Sequence, residues 1–129
     1  MRKVITCFIL FVLSSVCYSQ ANLDSIESSL EKDKIEAILD YTKAIEINPN
    51  DANAYFYRAT IKFKFLDFTG GISDLTKVIE INPKSAQAYY YRGFYKNALN
   101  QREEGCLDLN KAGELGYKRA YEIIKGVCN

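Results

Sequence analysis

The sequence predicts an all-α protein, a solenoid of stacked helix–turn–helix hairpins closed by a C-terminal capping helix. Three observations predict it. Ile-Glu-Ile-Asn-Pro ends at Pro49 and recurs, 34 residues on, at Pro83. The thirteen residues ending at each proline, 37–49 and 71–83, agree at nine positions. The same offset aligns 52–62 with 86–96, where six of eleven residues are identical, among them Tyr55/Tyr89, Arg58/Arg92 and Lys62/Lys96. Self-similarity at such a period marks a unit that buries its apolar face only by stacking on its neighbours. No segment alternates polar and apolar residues in the way a half-buried strand requires.

The chain opens with a leader. Arg2 and Lys3 precede an apolar run from Val4 to Val16. Thirteen helical residues span about 20 Å, short of the roughly 30 Å of a bilayer core. Cys17 and Ser19 stand at minus three and minus one for cleavage before Gln20, the pattern of a cleaved secretory signal over residues 1–19. An uncleaved anchor and a lipid anchor on Cys17 are the alternatives. Val16 disfavours the lipid anchor, because that site wants a small residue before the cysteine. The membrane is then a transient partner, met through the signal alone.

Residues 20–129 form the domain. A degenerate leading unit, 20–49, is expected to contain helices at 22–31 and 34–46. Two fuller repeats follow at 52–83 and 86–117, with helices at 52–65, 68–80, 86–99 and 102–115, and a cap at 118–127. Asp51 and Ser85 are placed as N-caps. Asn48-Pro49 and Asn82-Pro83 stop the preceding helices, since proline disfavours helix in the residue before it. Asn100 and Gly116 suit the left-handed conformation that ends a helix. Small residues recur twelve positions apart on the paired helices, as Ser25–Ala37, Ala59–Gly71 and Gly93–Gly105. Mid-helix glycine costs about 1 kcal/mol against alanine, so these glycines are read as points of close helix approach.

Composition narrows function. The 129 residues are 48% hydrophobic and 26% charged, the balance of a globular chain. Seventeen basic against sixteen acidic side chains, formally +1, provide no general field for nucleic acid. Removing residues 1–19 takes away Arg2 and Lys3 and leaves 15 basic against 16 acidic side chains, formally −1. The absence of histidine removes Ser-His-Asp and Cys-His catalysis, histidine metal ligands and a switch near neutral pH. Glu103–Glu104 is the only adjacent carboxylate pair, and neighbours on a helix point apart. Gly70-Gly71 lacks the lysine and spacing of a phosphate loop. No catalytic residue, cofactor or metal site is expected.

The cysteines and charges carry structural readings. Cleavage leaves Cys106 and Cys128, which lie about equally far from a turn near 116–117 and so fall side by side. An even pair in an exported chain reads first as a disulfide, worth about 3 kcal/mol in the loop-entropy model. Two thiolates without histidine make a poor zinc site, and the spacing is not that of a CxxC redox motif. A redox protein using this pair remains the alternative from another functional class. Asp40 and Asp74 each precede an arginine by eighteen residues. That predicts an inter-repeat ladder, Asp40–Arg58 and Asp74–Arg92, in which arginine suits bidentate pairing. Lys62 and Lys96 are expected to be solvated.

The pattern resembles the tetratricopeptide repeat. The family's signature of large, small, small, large, small and proline falls on Tyr55, Ala59, Gly71, Leu75, Val78 and Pro83. It falls next on Tyr89, Gly93, Gly105, Leu109 and Ala112, with Tyr117 in the proline position. The leading unit carries Ala37, Tyr41, Ala44 and Pro49, but Ala21 and Ser25 stand where a large and a small residue belong. The tail AGELGYKRAYEII is similar to the endings of Sel1-like repeats. The resemblance implies a right-handed solenoid and a non-catalytic scaffold for protein–protein contacts. It also implies a concave groove lined by the first helices, here Asn53, Phe56, Tyr57, Thr60, Phe63 and Lys64, then Gln87, Tyr90, Tyr91, Phe94 and Asn97. Aromatic faces edged by amides suit a peptide or helix of another protein; ordinary inter-repeat packing is the competing account of the same residues. The basic residues with which some co-chaperone members hold a C-terminal carboxylate are absent from these positions. The expected setting is the periplasm or the cell exterior. Weak self-association through the exposed ends of so short a stack stays open as a further alternative.

Overall fold

A computed structural model describes the backbone of residues 2–128 and the side chains of residues 20 and 22–128. The leader expected over 1–19 lies outside those described side chains. Six helices follow in order: α1 (Arg2–Ile47), α2 (Ala52–Lys64), α3 (Phe68–Ile81), α4 (Ala86–Ala98), α5 (Arg102–Glu114) and α6 (Arg119–Val127). No strand occurs among the described residues. The chain divides into two units, Met1–Glu36 and Ala37–Asn129.

In the first unit the expected break between helices 22–31 and 34–46 does not occur. Residues 32–33 are helical and belong to α1. Lys32-Asp33-Lys34 contains no glycine or proline, and none of its residues adopts a positive φ. The turns from α2 to α3, α4 to α5 and α5 to α6 each hold such a residue, Leu66 (φ 59°), Asn100 (φ 60°) and Gly116 (φ 92°), and those before α2 and α4 hold Pro49 and Pro83. Helix propagation therefore continues where nothing ends it. Ser25 and Ala37, expected to face each other across a hairpin, both belong to α1. Leu23, Ile26 and Leu30, spaced three and four apart, are 51–57% exposed on the first unit.

The second unit holds two complete hairpins, α2–α3 and α4–α5, with α6 packed on α5 as the cap. Asp51 Oδ1 accepts from the N–H of Asn53 and of Ala54, at 3.0 and 3.2 Å. Asp67 Oδ1 accepts from Gly70 N–H at 2.8 Å, and Ser85 Oγ from Ala88 N–H at 3.4 Å. These oxygens take up helix-end donors that would otherwise lack partners. Ala59, Leu75, Val78, Ala88 and Tyr95 form the core, flanked by Phe63, Phe68 and Tyr91. Leu109 and Ala112 of α5 and Ala120 of α6 are fully buried, Leu109 against Gly93 of α4.

The glycines act by what they leave room for. A Cβ on Gly93 would stand 2.7 Å from the Gly105 carbonyl oxygen, and one on Gly105 would stand 2.9 Å from the Gly93 carbonyl oxygen. The two backbones of this hairpin thus approach closer than any side chain allows. Gly71 differs, because a Cβ there would strike the ring of Tyr95 at 2.7 Å. It opens space for the next repeat's aromatic rather than for Ala59.

Candidate functional site

Two polar clusters order the first helices. Arg58 Nε and Nη2 donate to Asp74 at 2.9 and 2.7 Å, while Nη1 donates to Thr42 Oγ1 at 3.0 Å. Lys62 Nζ closes on the same carboxylate at 2.8 Å. One period later Arg92 donates to Asp108 at 2.8 and 2.7 Å and to Thr76 at 3.2 Å, and Lys96 stands 2.9 Å from Asp108. Asp74 and Asp108 are 3% and 6% exposed. The hydrogen bond from Arg58 to Asp74, outweighing the cost of burial, raises the guanidinium's pKa further. Arg58 and Arg92 also lie over the rings of Tyr55 and Tyr89, 5.7 and 5.6 Å from the centroids.

This arrangement corrects the expected ladder. Asp40 does not pair with Arg58, nor Asp74 with Arg92. Arg58 and Asp74 lie eight residues either side of Leu66, and Arg92 and Asp108 lie eight either side of Asn100. Antiparallel helices of one hairpin therefore set them side by side. The contact to the preceding unit is made instead by Thr42 and Thr76, sixteen residues before each arginine. Lys62 and Lys96 are not free in solvent but complete the clusters. The hairpin symmetry that pairs the cysteines would have found these partners too. Both arginines are committed to buried carboxylates, which leaves neither to bind phosphate.

An aromatic run crosses the first helices. Tyr41 stacks on Tyr57 (centroids 5.7 Å), Tyr57 meets Phe56 (6.0 Å) and Phe56 meets Tyr91 edge-on (5.6 Å). Tyr91 then meets Tyr90 (5.3 Å), which lies against Tyr117 (4.6 Å). Desolvation raises the Tyr90 hydroxyl's pKa, against the opposing pull of Arg119. Beside the run a cleft of about 220 Å³ is lined by Asn53, Phe56, Tyr57 and Gln87, with Val78 and Asn82.

A helix–turn–helix period of 34 residues, small residues at the close approaches and a buried cluster repeated at the same offset define the unit. The tetratricopeptide repeat family model matches residues 40–65. The hairpins built on this period share the tetratricopeptide fold. Solved structures of the same repeat superpose on the chain. The first such domain of Spaghetti (RPAP3), bound to the HSP90 peptide SRMEEVD, shares 26% identity over 76% of this chain and 79% of its own, at a TM-score of 0.71. The Arabidopsis OM64 domain shares 28% identity over 74% of this chain and 83% of its own, at 0.66. MamA, at 23% identity and a TM-score of 0.67, covers 74% of this chain and 57% of its own, and shares the fold. No curated protein matches the chain.

The eleven positions expected to line a groove have different fates. Phe56, Phe63 and Tyr91 pack against the core, with Phe63 stacked on Tyr95 at 5.1 Å. Asn53, Tyr57, Lys64, Gln87 and Phe94 are exposed, Tyr57 by 51% and Phe94 by 38%. Tyr90 and Thr60 are half-buried, the latter with its hydroxyl donating to the Tyr57 carbonyl at 2.7 Å. Asn97 turns away, its amide buried without a hydrogen-bond partner beside Gly105. Tyr41 and Tyr117 extend the run at both ends and were not among the expected residues. Tyr41 stands sixteen residues before Tyr57, the same offset as Thr42 before Arg58.

Cys106 and Cys128 are joined by a disulfide, with Cα atoms 5.8 Å apart. It ties α5 to the end of α6. Tyr121 adds a second tie, its hydroxyl donating to the Gly113 carbonyl at 3.0 Å. Among the described residues no cluster of side chains could hold a metal ion, and no helix is long and apolar enough to cross a membrane.

Proposed function

We propose that this chain is an exported, non-catalytic interaction module that binds a peptide or helix of another protein along the first helices of its repeats. The observation that carries the reading is the aromatic run from Tyr41 to Tyr117, edged by the exposed amides of Asn53 and Gln87. Exposed aromatics on a rigid helical scaffold make strong anchors, because little side-chain entropy is lost when they are covered. The Spaghetti domain, bound to an HSP90 peptide, supports peptide capture as the class of activity. Export rests on the leader over residues 1–19, with Gln20 as the mature N-terminus, and on a cysteine pair suited to an oxidising compartment. The bridge serves the fold by pinning the cap.

Replacing Tyr57, Tyr90 and Phe94 by serine tests the reading. Capture of partner proteins from an envelope extract should be lost while far-UV circular dichroism stays unchanged. Undiminished capture by a folded triple variant would move the binding face elsewhere.

A further inference from the structure

The stretch Ala37–Ile47 of α1 occupies the place of a repeat's second helix. Ala37, Asp40, Tyr41 and Ala44 stand one period before Gly71, Asp74, Leu75 and Val78, and two before Gly105, Asp108, Leu109 and Ala112. All eight of the later residues are buried, whereas Asp40 is exposed and Ala37, Tyr41 and Ala44 are only half-buried. What covers the two carboxylates among them is each repeat's own first helix. It sets an arginine and a lysine on the buried carboxylate, with a tyrosine ring against the arginine and a small residue next to it in sequence: Tyr55, Arg58, Ala59 and Lys62 for Asp74, and Tyr89, Arg92, Gly93 and Lys96 for Asp108.

The same spacings before Asp40 fall on Ala21, Asp24, Ser25 and Ser28. That segment has no cation to offer, and Asp24 in the arginine's place would set carboxylate against carboxylate. The aspartate register is kept while the cations that complete it are not. We propose that Ala37–Ile47 receives a helix of another protein with the pattern Tyr-x-x-Arg-small-x-x-Lys, whose two cations close on Asp40. Ala37 supplies the close-approach surface, as Gly105 does inside the domain. Charge complementarity selects this occupant, because an acidic or purely apolar helix would cover the Asp40 carboxylate without pairing it. This face meets the aromatic run only at Tyr41, which stacks on Tyr57.

The test uses a synthetic peptide with the sequence of residues 86–98, which carries the pattern. It is held helical by a side-chain staple and titrated into the full chain by fluorescence anisotropy. Saturable binding is expected, weakened about tenfold or more by Asp40→Asn, as for loss of one partner of a covered ion pair. An Asp40→Arg chain should recover binding to a peptide carrying Arg92→Asp and Lys96→Asp. Equal binding to Asp40→Asn, or no binding by a peptide whose helicity is verified, overturns the proposal. So does binding lost in the Tyr90→Ser/Phe94→Ser chain but kept in Asp40→Asn, which would place the peptide on the aromatic run. Concentration-dependent dimerisation abolished by Asp40→Asn would assign this face to a second copy and equally overturn it.

Discussion

Replacing Asp74 by asparagine removes the carboxylate on which Arg58 and Lys62 converge. The carboxylate is 3% exposed and accepts two arginine N–H groups at 2.9 and 2.7 Å, with the lysine at 2.8 Å. Asparagine keeps the volume but presents an amide N–H toward donors and leaves two cations facing each other. Breaking a buried ion pair by removing one partner costs about 3–5 kcal/mol. The cationic side chains are 16% and 20% exposed, so water partly replaces the lost partner, and the lower end, about 3 kcal/mol, applies. Asp40→Asn is the internal control. The same residue one period earlier is exposed, and its loss should cost no more than about 0.5 kcal/mol. Urea unfolding followed by circular dichroism should show a lower midpoint for Asp74→Asn at unchanged slope. Matching midpoints for the two variants would refute the reasoning, because the cluster would then contribute nothing that burial and pairing imply.

Two further outcomes follow from the turns and the core. Leu66 holds φ 59° and is 73% exposed, at the register where Asn100 holds φ 60°. Leu66→Asn should therefore stabilise the domain by about 0.5–1 kcal/mol, since the left-handed conformation strains a leucine; a loss of stability in the same urea titration would contradict this. Burial raises the Tyr95 hydroxyl's pKa from 10.0 to about 12. The native state then holds this proton where the unfolded chain releases it, so stability falls as pH rises from 10.0 towards about 12. Tyr95→Phe should flatten that alkaline decline while costing about 1 kcal/mol or less at neutral pH. A decline of unchanged steepness in thermal melts across this range would exclude Tyr95 as its source.

Several elements are legible in the sequence of residues 51–127, because the signals there are local or periodic. Asp51 and Ser85 cap helices, Asn82-Pro83 separates two of them, and Asn100 and Gly116 turn left-handed, each through its own backbone chemistry. The turn at Leu66 was hidden, since leucine does not announce a positive φ; only its alignment with Asn100 does. The single helix through 32–33 was missed for a related reason. Similarity to a repeat suggested a hairpin where the residues themselves contain no breaker.

The sequence by itself determined the period, the helical class, the small-residue approaches and the cysteine symmetry. All of these depend on spacing along one chain. Only the tertiary structure decided that a threonine of the preceding unit, and not its aspartate, meets each arginine. It also decided which aromatics are spent on the core, and that Asn97 faces Gly105 while Tyr41 and Tyr117 join the aromatic run. Those outcomes depend on how one hairpin is rotated against the next. Thr42 stands two residues beyond Asp40, and Thr76 two beyond Asp74; two residues turn a helical side chain through about half a turn, so the threonine and not the aspartate meets the next unit's arginine.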